Sequence, residues 1–382
     1  MSRYLFLNFF LQATTAAVAP YTQIIFRNKG YSHSLIGVIV ALGQVSSIII
    51  PLLICMLADR TRKTRIIAAL LSLSSALLLI PSALSESVFL SSVSFFLMSG
   101  FFWTLNPMMD GYQNRLFGGD SSRYGAVRSF GTFGYLVFLI LFAVSGFPRE
   151  TDNRSILIST SAVFLFFQLA LVFSPGDLPR NDTDRADRSF FSFRWFSRKF
   201  YIMMLIAGIS RIAESVVEKL LSSYMTEILG VGRFFTLFIA LGAMSEILMM
   251  MFGGRLLQKG RVSAYSMVMM SALGLVVRLL SYYFFPGIYT FALAQLLHSL
   301  SFGAFHIGMS KFIADNVQQE HYSVAMSFYW AIATNFPEMI GVLLGGFVID
   351  SLGYPMLFLS YSVFPILSLF LGCLVFRKIL AD

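Results

Sequence analysis

The chain has 382 residues, of which 57% are apolar and only 12% are charged. A soluble domain of this length cannot bury so much apolar surface, so the composition excludes a soluble globular protein and indicates a polytopic membrane protein. The formal net charge is +9, but the basic residues concentrate in every second loop. That placement fits membrane topology and membrane lipid, and we expect no nucleic-acid partner.

Apolar stretches of about 20 residues, the length that spans the hydrocarbon of a bilayer, recur along the whole chain. We predict twelve transmembrane helices, at residues 4–26, 35–57, 66–84, 89–112, 125–146, 155–173, 200–226, 234–257, 263–285, 289–312, 324–349 and 356–376. No small-residue cleavage site follows the first stretch, so we interpret it as a retained span rather than a signal peptide.

The basic residues divide unevenly between the two sets of loops that these spans create. One set holds most of the Lys and Arg, whereas the other holds only Arg27, Lys29, Arg149, Arg154 and Arg233. Cytoplasmic loops carry the excess of basic residues in membrane proteins. We therefore predict a multi-pass protein of the cytoplasmic (inner) membrane with both termini in the cytoplasm.

One long polar segment, residues 174–199, separates the first six predicted spans from the last six. Its Pro, Gly, Asp and Arg content is typical of a solvated linker. The predicted organisation is an all-α membrane protein with an N-terminal six-helix half at 1–173, a cytoplasmic linker at 174–199 and a C-terminal six-helix half at 200–382. Two pseudo-symmetric bundles of this kind are a transporter architecture.

An acid and a base flank the hairpin between predicted spans four and five. Asp110 ends one apolar run and Arg128 begins the next, so both lie just inside facing helices. A charge close to hydrocarbon persists by pairing or by facing a polar cavity. The two residues form either a structural ion pair between the helices or a clamp that grips hydroxyls or a carboxylate of a solute.

Ionisable residues also interrupt the apolar spans of the second half. Glu246, Arg278, His298 and Glu338 each lie in a different predicted span. A charge that faces lipid at the centre of a helix costs roughly 2.5–3.5 kcal/mol on insertion scales. We therefore predict that these four side chains face one another or water and form one network.

Two further polar features of the second half have a structural interpretation. Arg211, Glu214 and Glu218 follow i, i+3, i+7 spacing, which fits either a structural ladder along one helix face or the wall of a gate or cavity. His306 is interpreted as a hydrogen-bonded residue that packs helices together.

The loop after the second span resembles a known motif. Asp59-Arg60 followed by Lys63 is similar to the loop signature of the major facilitator superfamily, Gly-x-Leu-Ala-Asp-Arg-x-Gly-Arg-Arg. The match is partial, because Cys55 replaces the first Gly and Arg62 the second. The resemblance implies that Asp59, Arg60 and Lys63 help to close the cytoplasmic side of a transporter.

Within that superfamily the chain is most similar to the lactose permease and 3-phenylpropionate transporter branch. Residues 124–131 carry Tyr-Gly-x-x-Arg-x-x-Gly, which resembles the branch's Phe/Tyr-Gly-x-x-Arg-x-x-Gly, with Asp110 at the matching separation upstream. Tyr135 stands where lactose permease has the tryptophan that stacks on the sugar.

The second half is also similar to this branch, with one departure. Arg278 and His298 match its ninth-helix arginine and tenth-helix histidine, and Glu246 is similar to its coupling-region glutamate. Ser301 occupies the position of the glutamate that handles the proton, and Gln295 replaces a lysine. Proton coupling would therefore need Glu246, Glu338 or Asp110, and uniport remains open.

The resemblance implies a secondary transporter that imports a small organic solute by alternating access, with a proton as the suspected coupling ion. Solute contacts are expected from Asp110, Arg128, Tyr135, Asn106 and Gln12, and coupling from Glu246, Arg278, His298 and Glu338. A sugar or oligosaccharide is favoured because hydroxyls need a donor, an acceptor and a stacking face. The alternatives are an aromatic carboxylate, which suits Arg128 and Arg278, a nucleoside, or a membrane sensor that reuses the fold.

No catalytic constellation is present in the sequence. It has no phosphate-binding loop, no Gly-x-Ser-x-Gly elbow and no His-Glu-x-x-His motif, so we predict that the protein is not an enzyme. Cys55 and Cys373 lie in apolar runs without metal-ligand spacing, and we expect neither a metal nor an organic cofactor. The expected partners are a small-molecule solute and membrane lipid, and the expected state is a monomer.

Overall fold

The computed structural model describes residues 2–61, 63–116, 121–174, 196–318 and 322–381. Every regular element in these ranges is helical, in agreement with the predicted all-α class. Before residue 174 the helices are α1 Ser2–Val18, α2 Thr22–Asn28, α3 His33–Thr61, α4 Thr64–Leu84, α5 Val88–Leu116, α6 Ser121–Ser145 and α7 Asn153–Phe173. Most of the predicted linker, residues 175–195, lies outside the described ranges.

The remaining helices include four π-helical turns. In chain order, the helices and π turns after residue 196 are α8 Arg198–Ser215, a π turn at Val216–Leu220, α9 Leu221–Ser223, a π turn at Tyr224–Ile228, α10 Phe235–Gln258, α11 Ala264–Phe284, α12 Ile288–Leu296, a π turn at Ser299–Ala304, α13 Phe305–Asn316, α14 Tyr322–Trp330, a π turn at Ala331–Asn335, α15 Phe336–Tyr361 and α16 Val363–Ala381. Single π turns inside α-helices are frequent at functional sites.

Ten helical stretches of the described chain are long and apolar enough to cross a membrane. The first predicted span is not among them, because a 3₁₀ turn at Ala19–Tyr21 divides it into α1 and α2. Predicted spans eleven and twelve fall in one stretch, Ala325–Val375, in which Gly353 leaves the helical conformation at φ 78°. The protein is a multi-pass membrane protein, and twelve spans in two six-helix bundles stay a prediction.

The chain forms two compact units. Of the described residues, the first unit holds those up to Tyr31, those from Ile39 to Ser174, and Val231–Leu237. The second unit holds Ser32–Val38, Phe196–Gly230 and the residues from Phe238 onward.

The helices have one buried face and one apolar exposed face. In α7, Ile156, Val163 and Phe167 are buried, whereas Leu165 and Phe173 are 60% and 70% exposed. An exposed face this apolar is stable next to lipid tails but not next to water. The side-chain pattern of α7 therefore fits a helix that packs on one side and contacts the bilayer on the other.

Glycine permits the close approach of α15 to α8. A Cβ at Gly341 would overlap the carbonyl oxygen of Ile212 and the hydroxyl of Ser215. We expect Gly341→Ala to lower the thermal unfolding temperature of the purified protein, since forcing extra volume into a packed contact typically costs about 1–3 kcal/mol. The matched control is Gly254→Ala in α10, where nothing lies within 4 Å of the added Cβ. Equal shifts for the two variants would contradict the packing argument.

Candidate functional site

Arg278 on α11 lies at the centre of a buried polar network in the second unit. Its side chain is almost fully buried, at 1% exposure. Its Nε donates to the Tyr282 hydroxyl at 3.0 Å and its Nη2 to Gln295 Oε1 at 2.7 Å. Its Nη1 lies 3.1 Å from His298 Nδ1 and 3.4 Å from Ser301 Oγ. The guanidinium is thus surrounded by acceptors from α11, α12 and the π turn that follows.

The contact with Arg278 determines the tautomer of His298. Because the guanidinium only donates, His298 Nδ1 accepts and a neutral ring carries its proton on Nε2. Nε2 lies 4.0 Å from Glu246 Oε2 on α10. His298 therefore connects the arginine of α11 with the carboxylate of α10.

Glu214 on α8 extends the network towards another helix. It is completely buried, and its Oε1 accepts a hydrogen bond from Ser301 Oγ at 3.3 Å. Arg211 Nη1 lies 3.9 Å from the same oxygen. The second oxygen, Oε2, is buried and has no hydrogen-bond donor among the described residues.

Arg211 joins α8 to α15. Its Nη2 lies 2.5 Å from Glu338 Oε1, and Lys219 Nζ lies 4.0 Å from Glu338 Oε2. The guanidinium also lies over the rings of Phe302 and Phe305, at 5.3 and 4.8 Å from their centroids. Such cation–π contacts and the ion pair stabilise a buried charge that would otherwise be costly.

These contacts form one continuous chain, which we call the second-unit network. In order, its members are Glu246, His298, Arg278, Ser301, Glu214, Arg211, Glu338 and Lys219. The structure thus brings together all four residues for which the sequence predicted a common network. Ser301, Glu214 and Arg211 connect Glu338 to the other three.

Glu218 adds one more carboxylate beside the network. One donor atom from each of Glu214, Glu218 and His298 lies within 4.8 Å of the others, a spacing that a metal ion can bridge. Arg278 and Arg211 direct positive charge at His298 and Glu214. Like-charge repulsion from two guanidiniums opposes a divalent cation here, whereas a proton needs only one oxygen.

The solute residues predicted in the first unit form a ring of contacts. Gln12 Nε2 on α1 donates to Asn106 Oδ1 on α5 at 2.8 Å. Asn106 and Asp110 share one face of α5 at i, i+4 spacing, and Arg128 on α6 forms an ion pair with Asp110. Gly131, one turn beyond Arg128, closes the ring, because a Cβ there would lie 2.9 Å from Gln12 Cγ.

Exposure distinguishes this ring from the second-unit network. The side chain of Arg128 is 54% exposed and that of Asp110 29%. Tyr135, about two turns further along α6, is half-buried. The direct pairing of Asp110 with Arg128 fits the ion-pair interpretation, and the exposed polar atoms of both side chains also leave the clamp interpretation open.

The predicted gating residues lie between α3 and α4. Arg60, in the last turn of α3, and Lys63, immediately before α4, are both exposed. The side chain of Asp59 lies outside the described residues.

The sequence profile of the MFS_1 like family matches residues 1–360. The chain belongs to this family. The predicted membership of the major facilitator superfamily is thereby confirmed, whereas the closer resemblance to the lactose permease and 3-phenylpropionate branch stays a prediction.

One relative of this MFS_1-like protein matches most of its length, and several solved structures share its fold. The uncharacterized transporter YwbF of Bacillus subtilis (strain 168) is 20% identical over 357 residues, which are 93% of this chain and 87% of YwbF. Two crystal structures of the nucleoside transporter NupG align with TM-scores of 0.84 and 0.81 at 15% identity, covering 98% of this chain and 99% and 98% of theirs. A bacterial homologue of the human lysosomal transporter Spinster aligns with a TM-score of 0.73 at 15% identity, covering 99% of this chain and 96% of its own. At these identities the structural likeness shows the fold alone.

Several residues of this MFS_1-like site were missed by sequence reasoning. Tyr282 lies four positions after Arg278, so helical spacing alone could have indicated this contact. Gln295 was noted only as the replacement of a lysine, and its hydrogen bond with Arg278 joins two different helices. No local signal places Glu214 next to Ser301, 87 positions away. His306 matches its structural interpretation, since it forms a hydrogen bond with Tyr329 and stacks on Trp330.

Proposed function

We propose that this protein is a secondary transporter of the cytoplasmic membrane that imports a neutral, hydroxyl-rich solute together with a proton by alternating access. The observation that carries this proposal is the second-unit network. Its ionised groups lie inside apolar helices, where each charge is costly unless it is paired or functional. Continuous pairing from Glu246 to Lys219 supports a role beyond the joining of two helices.

The charge of the network favours a coupling cation. The network itself has three carboxylates and three permanent cations, and the adjoining Glu218 adds a fourth carboxylate. With His298 neutral, one negative charge is in excess. A buried excess charge is relieved by binding one proton, and a group that loads and unloads a proton is what a symporter needs.

The first-unit ring favours a neutral solute. Asp110 and Arg128 cancel each other's charge, which leaves no excess positive charge for an aromatic carboxylate. The amides of Gln12 and Asn106 offer donors and acceptors to hydroxyls or to the edge of a nucleobase, and Tyr135 offers an aromatic face. A sugar and a nucleoside both fit this chemistry, and the likeness to the nucleoside transporter NupG adds support for the second.

Uptake into proteoliposomes tests the proposal. The purified protein is reconstituted, and uptake of radiolabelled uridine, lactose and 3-phenylpropionate is measured with and without an inwardly directed pH gradient. We expect uridine or lactose to accumulate only with the gradient, by about tenfold per pH unit for one proton per solute. Competition among the three probes then identifies the solute class.

Two results would contradict the proposal in separate ways. Equilibration of a neutral probe without accumulation at any pH gradient would indicate a uniporter. Uptake of 3-phenylpropionate alone would show that the first-unit ring does not select for a neutral solute.

A further inference from the structure

We propose that Glu214 is the proton-binding group of this protein, and that Ser301 transmits its charge state to Arg278. This inference rests on the proposed proton coupling and names the site that performs it. It differs from the sequence-based candidates, which were Glu246, Glu338 and Asp110.

The other carboxylates are less suited to the role. Glu338 is held 2.5 Å from Arg211 and lies 4.0 Å from Lys219, so each of its two oxygens already faces a cation. Asp110 is paired with Arg128 and its side chain is 29% exposed, so it lacks the complete burial of Glu214. Glu246 is only half-buried, and its carboxylate faces the Nε2 atom of His298. It therefore lacks the complete burial of Glu214.

Glu214 has the environment that the role requires. It is completely buried, and Oε2 has no hydrogen-bond donor among the described residues. An ionised carboxylate normally accepts several hydrogen bonds, and a buried oxygen without a donor is costly. When hydronium transfers its proton, an O–H bond forms at Oε2, water leaves, and the excess negative charge is removed.

The charged and titratable groups that face Glu214 come from each packed element. They are Arg211 and Glu218 from α8 and its π turn, Arg278 and Tyr282 from α11, His298 beside the next π turn, and Glu338 from α15. Lys219 and Tyr329 lie next to these groups and interact with Glu338 and Arg211. The positive charge of Arg211 stabilises the carboxylate of Glu214, but Glu338 shares that charge. The negative charge of Glu218 destabilises the same carboxylate. The charge of Glu214 therefore depends on partners that also interact with other residues.

Ser301 connects the proton site to Arg278. Its hydroxyl donates to Glu214 Oε1 at 3.3 Å, and its oxygen lies 3.4 Å from Arg278 Nη1. Protonation of Glu214 removes the charge that orients this hydroxyl, so the serine no longer has to present its lone pairs to the guanidinium. Ser301 is therefore a positioning residue. Through its hydroxyl, protonation of Glu214 changes the contacts of Arg278, although the two side chains are not in direct contact.

Infrared difference spectroscopy of the purified full-length protein tests the site with the proton itself as the probe. We expect a carboxylic-acid C=O band that appears on acidification, is lost in Glu214→Gln, and shifts in Ser301→Ala. The control is Glu86→Gln, which removes an exposed carboxylate and should retain the band. Glu214→Gln with Ser301→Glu returns a carboxylate across the 3.3 Å contact and should restore a band.

Separate outcomes address the inference and the function. A band that persists in Glu214→Gln, or that sodium chloride but not choline chloride suppresses, would overturn the proton site. In proteoliposomes, Glu214→Gln should lose gradient-driven accumulation and retain exchange of the probe. If wild-type protein shows no accumulation, the proposed function fails instead. Should Glu214→Gln not fold, Glu214→Asp is used, and an unshifted pH dependence of the band would contradict the assignment.

Discussion

Replacing Arg278 with lysine should reduce transport by about 100-fold or more while the protein remains folded. The guanidinium of Arg278 contacts Tyr282, Gln295, His298 and Ser301 at once. A lysine keeps the positive charge but is a point donor on a flexible stem, and it cannot reproduce a planar fork. Each lost hydrogen bond to a charged group costs about 1.5–3 kcal/mol, so the loss of two corresponds to roughly this factor.

Initial uptake rates measure the loss of transport in Arg278→Lys, and thermal unfolding checks that the variant remains folded. Arg154→Lys, at an exposed position, is the matched control and should transport normally. Arg278→Ala should be worse in both measurements, because the network together with Glu218 then carries two excess negative charges instead of one. Normal transport by the lysine variant would exclude a role for the fork geometry.

The largest loss of stability should follow removal of Arg211. Arg211→Met leaves Glu338 with only Lys219 at 4.0 Å and removes the cation 3.9 Å from Glu214. Breaking a buried ion pair by removing one partner typically costs about 3–5 kcal/mol. Glu338→Gln should cost less, since Arg211 retains Glu214 as a partner.

A double-mutant cycle measured by thermal unfolding in detergent checks this order. Arg211→Met with Glu338→Leu should be less destabilised than the sum of the single variants, because neither charge is left unpaired. Additive shifts would mean that the two side chains do not interact. The control is Lys311→Met in the exposed Lys311–Asp315 pair, which should shift the transition very little, as exposed pairs contribute about 0–1 kcal/mol.

Parts of the candidate site follow from local sequence patterns. The pairing of Asp110 with Arg128 is one of the two interpretations that the charged hairpin allows. Opposite charges at the facing ends of two connected helices lie close enough to form an ion pair. The contact of Arg211 with Glu214 follows from i, i+3 spacing on one helix. Both predictions depend on geometry that a helix repeats every 3.6 residues, so no knowledge of other helices is needed.

The remaining contacts depend on how helices pack. Glu338 meets Arg211 across 127 positions of the chain, and Glu214 turns towards Ser301 rather than only along its own helix. Helical periodicity states which side chains share a face but not which face meets which neighbour. The orientation of these faces depends on the close helix contact at Gly341 and on the π turns at Val216–Leu220 and Ser299–Ala304. These features have no reliable local signal in the sequence.

The sequence by itself determined that this protein is helical and lies in a membrane, since apolar runs of about 20 residues have no other stable solvent. It also determined that the charges inside those runs must find partners. Only the tertiary structure decided the partners, because the energy of a buried charge depends on atoms within a few ångströms, and long-range packing brings those atoms together. For that reason Glu214, which the sequence allowed to be part of a simple ladder, emerges as a network carboxylate with one oxygen that has no hydrogen-bond donor in the described part of the chain.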